Sequence, residues 1–198
     1  MANQGRLLVL EGPDGVGKST LAEWLALHLR QLGSDCVLLS FPGREPGTLG
    51  YHVYELHHDP TRFGIRSVQP ASLQLLHVAA HIDAIETRIK PLLSDGHDVV
   101  LDRFWWSTFV YGVVAGASHA VLHGMVATER SAWEPIRPDR LFLITRKTPF
   151  RDEPSSSWPR WRDAYLALAD QEGASYPIVL VENDEDISSA KSRILQNL

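Results

Sequence analysis

The chain has 198 residues, 44% of them hydrophobic and 22% charged, with a formal net charge of -5 and one cysteine. That length and apolar content suit one domain with its own core, and the acidic balance speaks against a general affinity for nucleic acid or anionic membrane, so any anion site must be local. Cys36 alone excludes an internal disulfide and a cysteine-rich zinc site, no apolar run reaches membrane-spanning length, and "MANQGR" lacks the apolar stretch of a signal peptide, so a cytoplasmic protein is expected.

Taken in chain order, the first β-prone run is "RLLVL" (6 to 10), followed at once by "EGPDGVGKST" (11 to 20) and then by Leu21, Leu25 and Leu29 at helical spacing. Gly12 to Ser19 fits G-x-x-x-x-G-K-[ST] between a strand and a helix, the setting in which that pattern cradles phosphates. Gly12, Gly15 and Gly17 let backbone amides face phosphate oxygens, and the helix entered through Thr20 adds its positive end. Lys18 is expected to stand free in solvent as a ligand of the outer phosphates, and the Ser19 hydroxyl to ligate magnesium.

A second run, "CVLLSF" (36 to 41), precedes an irregular stretch from 42 to 69 in which His57 and His58 read as solvated loop residues. Leu73, Leu76, Ala80 and Ala84 then define a helical face. The third run, "DVVLD" (98 to 102), delivers Asp102 and Arg103 to a strand's carboxyl end, where doubly wound sheets bind ligands. "DRLFLIT" (139 to 145), a second irregular stretch (146 to 160), the helical pair Tyr165 and Leu168, and "PIVLV" (177 to 181) complete the chain. Strands alternating with helices predict an α/β fold of three layers, a five-stranded parallel sheet flanked by helices, with residues 1 to 198 as a single domain.

The segments "EGPDGVGKST", "FPGREPGTLG" (41 to 50), "LQLLHVAAHIDAIETRIKPLLSDG" (73 to 96), "VVLDRFWWSTFVYG" (99 to 112) and "RPDRLFLIT" (137 to 145) together resemble the thymidylate kinases. The resemblance covers most of residues 5 to 145. It implies a P-loop kinase that uses ATP and Mg²⁺ to phosphorylate a nucleoside monophosphate, acting on nucleotide substrates with no nucleic acid and no membrane, as a homodimer. It implies catalytic roles for Asp14, Lys18, Arg103 and Arg151, and donor binding by the Gly12 to Thr20 loop with Arg146. Phe41, Pro42, Arg44, His77, His81 and Tyr111, with Asp14 and Arg103, are implied around the acceptor, and Asp102 joins Ser19 at the metal. Asp14 could instead cap a helix, and Asp102 with Arg103 could form a surface ion pair.

Three departures from the family pattern bear on the acceptor. His77 and His81 stand where the family carries an aromatic that stacks on thymine and an arginine that hydrogen-bonds it. Their spacing of four keeps them on one helical face, while a zinc site would need a third ligand that no motif provides. Gly112 replaces a glutamine, which reads as lost contact and gained space. The segment 146 to 157 gives a short lid. The acceptor is therefore expected to be dTMP or a modified pyrimidine nucleotide, with a deoxynucleoside kinase and a catalytically degenerate nucleotide-binding protein as alternatives. Trp106, Trp158 and Trp161 read as core or dimer packing, and Trp105 alone is kept for base stacking.

Overall fold

A computed structural model describes residues 4–150, 157–184 and 186–198. The five strands fall within a residue of the apolar runs: β1 (Leu7–Glu11), β2 (Cys36–Ser40), β3 (Asp98–Asp102), β4 (Arg140–Thr145) and β5 (Ile178–Glu182). They form one parallel sheet in the order β2-β3-β1-β4-β5. Around it run α1 (Lys18–Gln31), α2 (Leu49–His58), α3 (Pro70–Ala84), α4 (Lys90–Ser94), α5 (Trp105–Val114), α6 (His119–Trp133), α7 (Trp158–Glu172) and α8 (Ile187–Leu195), with a π-helical turn, Ile85–Ile89, joining α3 to α4.

Alternation along the central strands sorts their side chains into two cores. Leu8, Leu10, Val100, Phe142 and Ile144 pack with Leu21 and Leu25 of α1 and Ala190 and Ile194 of α8. Leu7, Val9, Val99, Leu101, Leu141 and Leu143 pack on the opposite face with Trp105, Trp106, Val126, Tyr165 and Leu168. Both faces of β1 and β3 are covered, which is why these strands read as unbroken apolar runs.

The chain turns one way from β1 to reach β3 and β2, and the other way to reach β4 and β5. The crevice at this reversal is where open α/β sheets hold ligands. Register brings Leu10 level with Asp102, so the loop after β1 and the residues after β3 emerge side by side.

The structure alters several expectations. The stretch 42 to 69 contains α2, capped by the Thr48 hydroxyl accepting from the Tyr51 amide, and a short turn at Pro60–Phe63. Only Gly50 and Val53 of α2 are buried, so its sequence carries little apolar periodicity. On α3 the deeply buried positions are Gln74, Val78, Ala80 and His81 rather than the face through Leu73 and Leu76, because the helix turns polar groups toward a cavity. Trp105 is 2% exposed, packs on Phe104 and donates its indole N–H to the Tyr176 hydroxyl (3.2 Å), so it is a core residue and stacks on no ligand.

Candidate active site

The Gly12–Ser19 loop is shaped by glycines at positive φ: Gly12 (139°), Gly15 (77°) and Gly17 (90°). A Cβ on Gly12 would stand 2.1 Å from the Ile144 carbonyl oxygen, so only glycine lets this loop lie against β4. Gly17 occupies the N-cap position of α1 without a side-chain cap, which leaves the first amides of the helix free for an anion.

Beneath the loop lies Glu11, fully buried, a residue the sequence reading passed over. Its Oε1 accepts from the amides of Phe104 (2.7 Å) and Ser107 (3.0 Å), and its Oε2 from the Gly12 amide (3.1 Å) and the Ser107 hydroxyl (3.0 Å). One carboxylate thus ties the phosphate loop to the start of α5 and sets the distance between them. Burial pushes its carboxyl up, against the pull of Arg103 and Lys18. A charged residue ending an apolar strand was the available signal.

Lys18 departs from expectation. It is 4% exposed and donates to the Pro13 carbonyl oxygen (2.7 Å), with its Nζ 3.8 Å from Asp14 Oδ1, so it lies folded under its own loop rather than free in solvent. Burial, aided by Arg103, brings its ammonium down to about 8.

Asp14 is not a helix cap. Its carboxylate accepts from Arg103 and from the Tyr111 hydroxyl (2.8 Å), while its own amide donates back to that hydroxyl oxygen (3.0 Å) and its carbonyl accepts from the Trp158 indole (2.8 Å). Burial opposes ionisation, but Arg103, Lys18 and the Tyr111 hydroxyl outweigh it and hold the carboxyl at about 2. Arg103 also donates to the Ser107 hydroxyl (3.1 Å) and lies over the Tyr111 ring. At φ 78° it is the one non-glycine residue described with a left-handed backbone, the kind of strain that is held where a side chain must be aimed.

Asp102 Oδ2 accepts from the Ser19 hydroxyl (2.6 Å), whereas Oδ1 is buried without a hydrogen-bond partner. An orphaned carboxylate oxygen beside a hydroxyl is a hard oxygen donor set of the kind magnesium takes. Ser19 and Asp102 therefore fit that ion, and no cluster of three or more His, Cys, Asp or Glu side chains suited to a metal is found among the described residues.

A cavity of about 310 Å³ opens beside this cluster. It is lined by Asp14, Arg103 and Tyr111, by Phe41, Pro42 and Arg44, and by His77 and His81, the His81 ring stacked on that of Phe41. Arg44 is exposed at the rim with its guanidinium over the Tyr54 ring (5.1 Å). His77, which burial and the neighbouring His81, His57 and Arg103 bring down to about 2, stays neutral and hydrogen-bonds His57 (Nε2 to Nδ1, 3.1 Å). His57 and His58 thus lie on α2 along the cavity and not in a solvated loop. Gln74 also lines it. That residue precedes His77 by three and shares its helical face, a spacing that could have revealed it.

Gly112 does not widen the cavity. A Cβ there would stand 2.5 Å from Leu122 Cδ2, so the position is filled by close packing of α5 on α6. Beside the Gly12–Ser19 loop, Arg146 donates to the carbonyls of Thr148 (2.8 Å) and Asn183 and stacks on Phe150, whose amide donates to the Gly15 carbonyl (2.7 Å). Asn183 in turn donates to the Val16 carbonyl (2.8 Å). Thr20 is exposed at the start of α1. Arg151, and with it residues 152 to 156 of the short lid, lies outside the described residues.

One family recurs in the comparisons with known proteins. The family model for thymidylate kinase matches residues 10–151. A thymidylate kinase of Dinoroseobacter shibae is 40% identical over 144 residues, 73% of this chain and 66% of that protein, and one of Ruegeria pomeroyi is 36% identical over 73% of this chain and 64% of its own length. The match thus spans just under two thirds of these two relatives. A thymidylate kinase of Pseudomonas syringae pv. tomato is 30% identical over 98% of this chain and 96% of its own. The crystal structure of thymidylate kinase from Ehrlichia chaffeensis superposes with a TM-score of 0.77 at 21% identity, covering 98% of each chain, which shows that the fold is shared.

Proposed function

The chain belongs to the thymidylate kinase family, and from that membership we propose that it transfers the γ-phosphate of ATP to the 5′-phosphate of dTMP, giving ADP and dTDP. The observation that carries this reading is the Asp14, Arg103 and Tyr111 cluster, which joins the phosphate loop to the 310 Å³ cavity so that two anionic substrates can meet end to end.

Phosphoryl transfer asks the protein mainly to position the partners and neutralise charge. The loop amides and the α1 N-terminus hold the donor phosphates. An oxygen of the acceptor phosphate attacks the γ-phosphorus as the bond to the β,γ-bridging oxygen breaks, and ADP leaves with that electron pair. Lys18 and Arg103 face the oxygens on which charge accumulates. Asp14, held ionised, fixes Arg103 in that position, and Arg44 takes the acceptor's phosphate at the rim. Ser19 and Asp102 would hold Mg²⁺, which when bound supplies further neutralisation of the donor phosphates.

The same reading treats residues 1 to 198 as one kinase domain, with Arg146 and Arg151 flanking the donor. It places a homodimer in the cytoplasm, where ATP and nucleotides are at hand. Support for the dimer is the exposed Leu49 and Leu75 on α2 and α3, helices that pack on each other, and sedimentation at twice the chain mass is the expected result. No helix among the described residues is long and apolar enough to cross a membrane.

ADP release measured over a panel of nucleosides and monophosphates tests the acceptor. Turnover with dTMP and none with thymidine is expected, and the reverse would restore the nucleoside kinase. Within that assay, Arg44→Ala should raise the dTMP KM about tenfold or more, the loss of a charge-assisted fork of roughly 1.5–3 kcal/mol, with the ATP KM unchanged. A change confined to the ATP KM would move Arg44 to the donor side.

Lys18 gives a pH signature. Its free ammonium is brought down to about 8, and bound phosphates favour the charged form, so ATP binding at pH 8.5 should take up protons. Titration calorimetry in buffers of different ionisation enthalpy measures this uptake. It should vanish in Lys18→Met, and its absence in the native protein would contradict a buried, partly deprotonated lysine.

A further inference from the structure

The proposed reaction leaves one buried carboxylate without a task. Glu129, on α6, has 0% exposure, and both its oxygens lie 3.1 Å from Nδ1 of His81, which is its side-chain partner among the described residues. His81 is 3% exposed, lies flat against Phe41 with ring centroids 4.0 Å apart and planes 12° apart, and lines the acceptor cavity. With Nδ1 engaged by Glu129, Nε2 is the ring nitrogen left for a ligand.

Electroneutrality then fixes what that nitrogen offers. A net charge sealed away from water without a partner is costly, so the buried pair is held with no net charge. Two arrangements satisfy this and also pair the hydrogen between the two groups: an imidazolium against a carboxylate, or a neutral ring whose bare Nδ1 accepts from a protonated carboxyl. In both, Nε2 carries a hydrogen. A neutral ring with its hydrogen on Nδ1 would present Nε2 as an acceptor, but it either faces an uncompensated carboxylate or, against a protonated carboxyl, leaves a buried O–H without a side-chain acceptor among the described residues.

We propose that Glu129 is a positioning residue for base recognition: it locks the His81 ring with an Nε2–H donor aimed into the cavity, and this donor selects an acceptor base with a carbonyl on its edge over one with an amine. The cavity then prefers an oxo-pyrimidine such as thymine to the amino-pyrimidine cytosine. His77 serves as the neutral wall beside this donor, tied to His57. The inference rests on the dTMP reading for its substrate and on the His81–Glu129 geometry for its mechanism.

Two measurements test these parts separately. In the native protein labelled with ¹⁵N-histidine, His81 Nε2 should show the shift of a protonated nitrogen, and a bare, pyridine-like Nε2 would overturn the proposal. In kinetics, the native enzyme should favour dTMP over dCMP. Glu129→Leu should raise the dTMP KM about tenfold, leave the ATP KM and kcat close to native, and shrink the dTMP to dCMP preference. The isosteric Glu129→Gln, whose amide N–H can donate to Nδ1 and so keep the hydrogen on Nε2, should recover most of the loss. A Leu variant with the native preference, or one that loses kcat with both KM values unchanged, would make Glu129 merely structural. Absence of turnover with any monophosphate would overturn the dTMP reading but not the Nε2 assignment, which the spectrum decides by itself.

Discussion

Lys18→Met is expected to remove phosphoryl transfer, by at least about 10²- to 10³-fold in kcat, while leaving the protein at least as stable as before. The loss follows from taking away a preorganised cation aimed at oxygens that gain charge in the transition state, a device worth that factor or more. The stability follows from burial. The Lys18 ammonium is 4% exposed and its folded value is brought down to about 8 from an unfolded value of 10.5. A group whose charged form is disfavoured by folding weakens the fold below that window, and stability recovers as pH rises from about 8 to 10.5, where the unfolded chain binds more protons. Methionine keeps the apolar stem and drops the charge. Turnover and Tm of the variant at pH 7 check both halves. Native turnover would remove Lys18 from the chemistry, and a markedly lowered Tm would show that its bond to the Pro13 carbonyl holds the loop together.

Arg103→Met should be nearly as damaging. The guanidinium pairs with Asp14, donates to Ser107 and lies over Tyr111, so its removal strips the cluster of its cation and leaves the half-buried Asp14 carboxylate with Lys18 as its nearest countercharge. A fall in kcat of about 10²- to 10³-fold is expected. Arg103→Lys should recover little of it, because a point charge cannot serve Asp14, Ser107 and a phosphate at once as a planar fork can. Full recovery by lysine would reduce Arg103 to a provider of charge and remove the reason for its left-handed backbone.

The parts of the site that were legible in the sequence are those whose chemistry is local. The phosphate loop is a contiguous pattern, and Asp102 and Arg103 followed from their place at the end of an apolar run. The central strands β1 and β3 were legible because both of their faces are buried. What stayed hidden depends on contacts across the chain. Glu129 meets His81 over 48 positions, and His57 meets His77 over 20. Helix α6 offered no clear stripe, since the side chains it buries include Glu129 alongside Leu122, Val126 and Trp133. The face of α3 was misread for a related reason: Gln74 and His81 are buried to line a cavity, and hydrophobic periodicity cannot register a buried polar wall. Gly112 looked like space because the helix that fills it, through Leu122, was not foreseen.

On the proposed reading, the Asp14, Arg103 and Tyr111 cluster with Lys18 moves phosphate from ATP to a nucleoside monophosphate. Following a mixture of protein, ATP, Mg²⁺ and dTMP by ³¹P NMR tests it most directly. The dTMP resonance should be replaced by the two resonances of dTDP while ATP is converted to ADP in equal amount, and Lys18→Met should show neither change. ADP and inorganic phosphate accumulating beside untouched dTMP would contradict it.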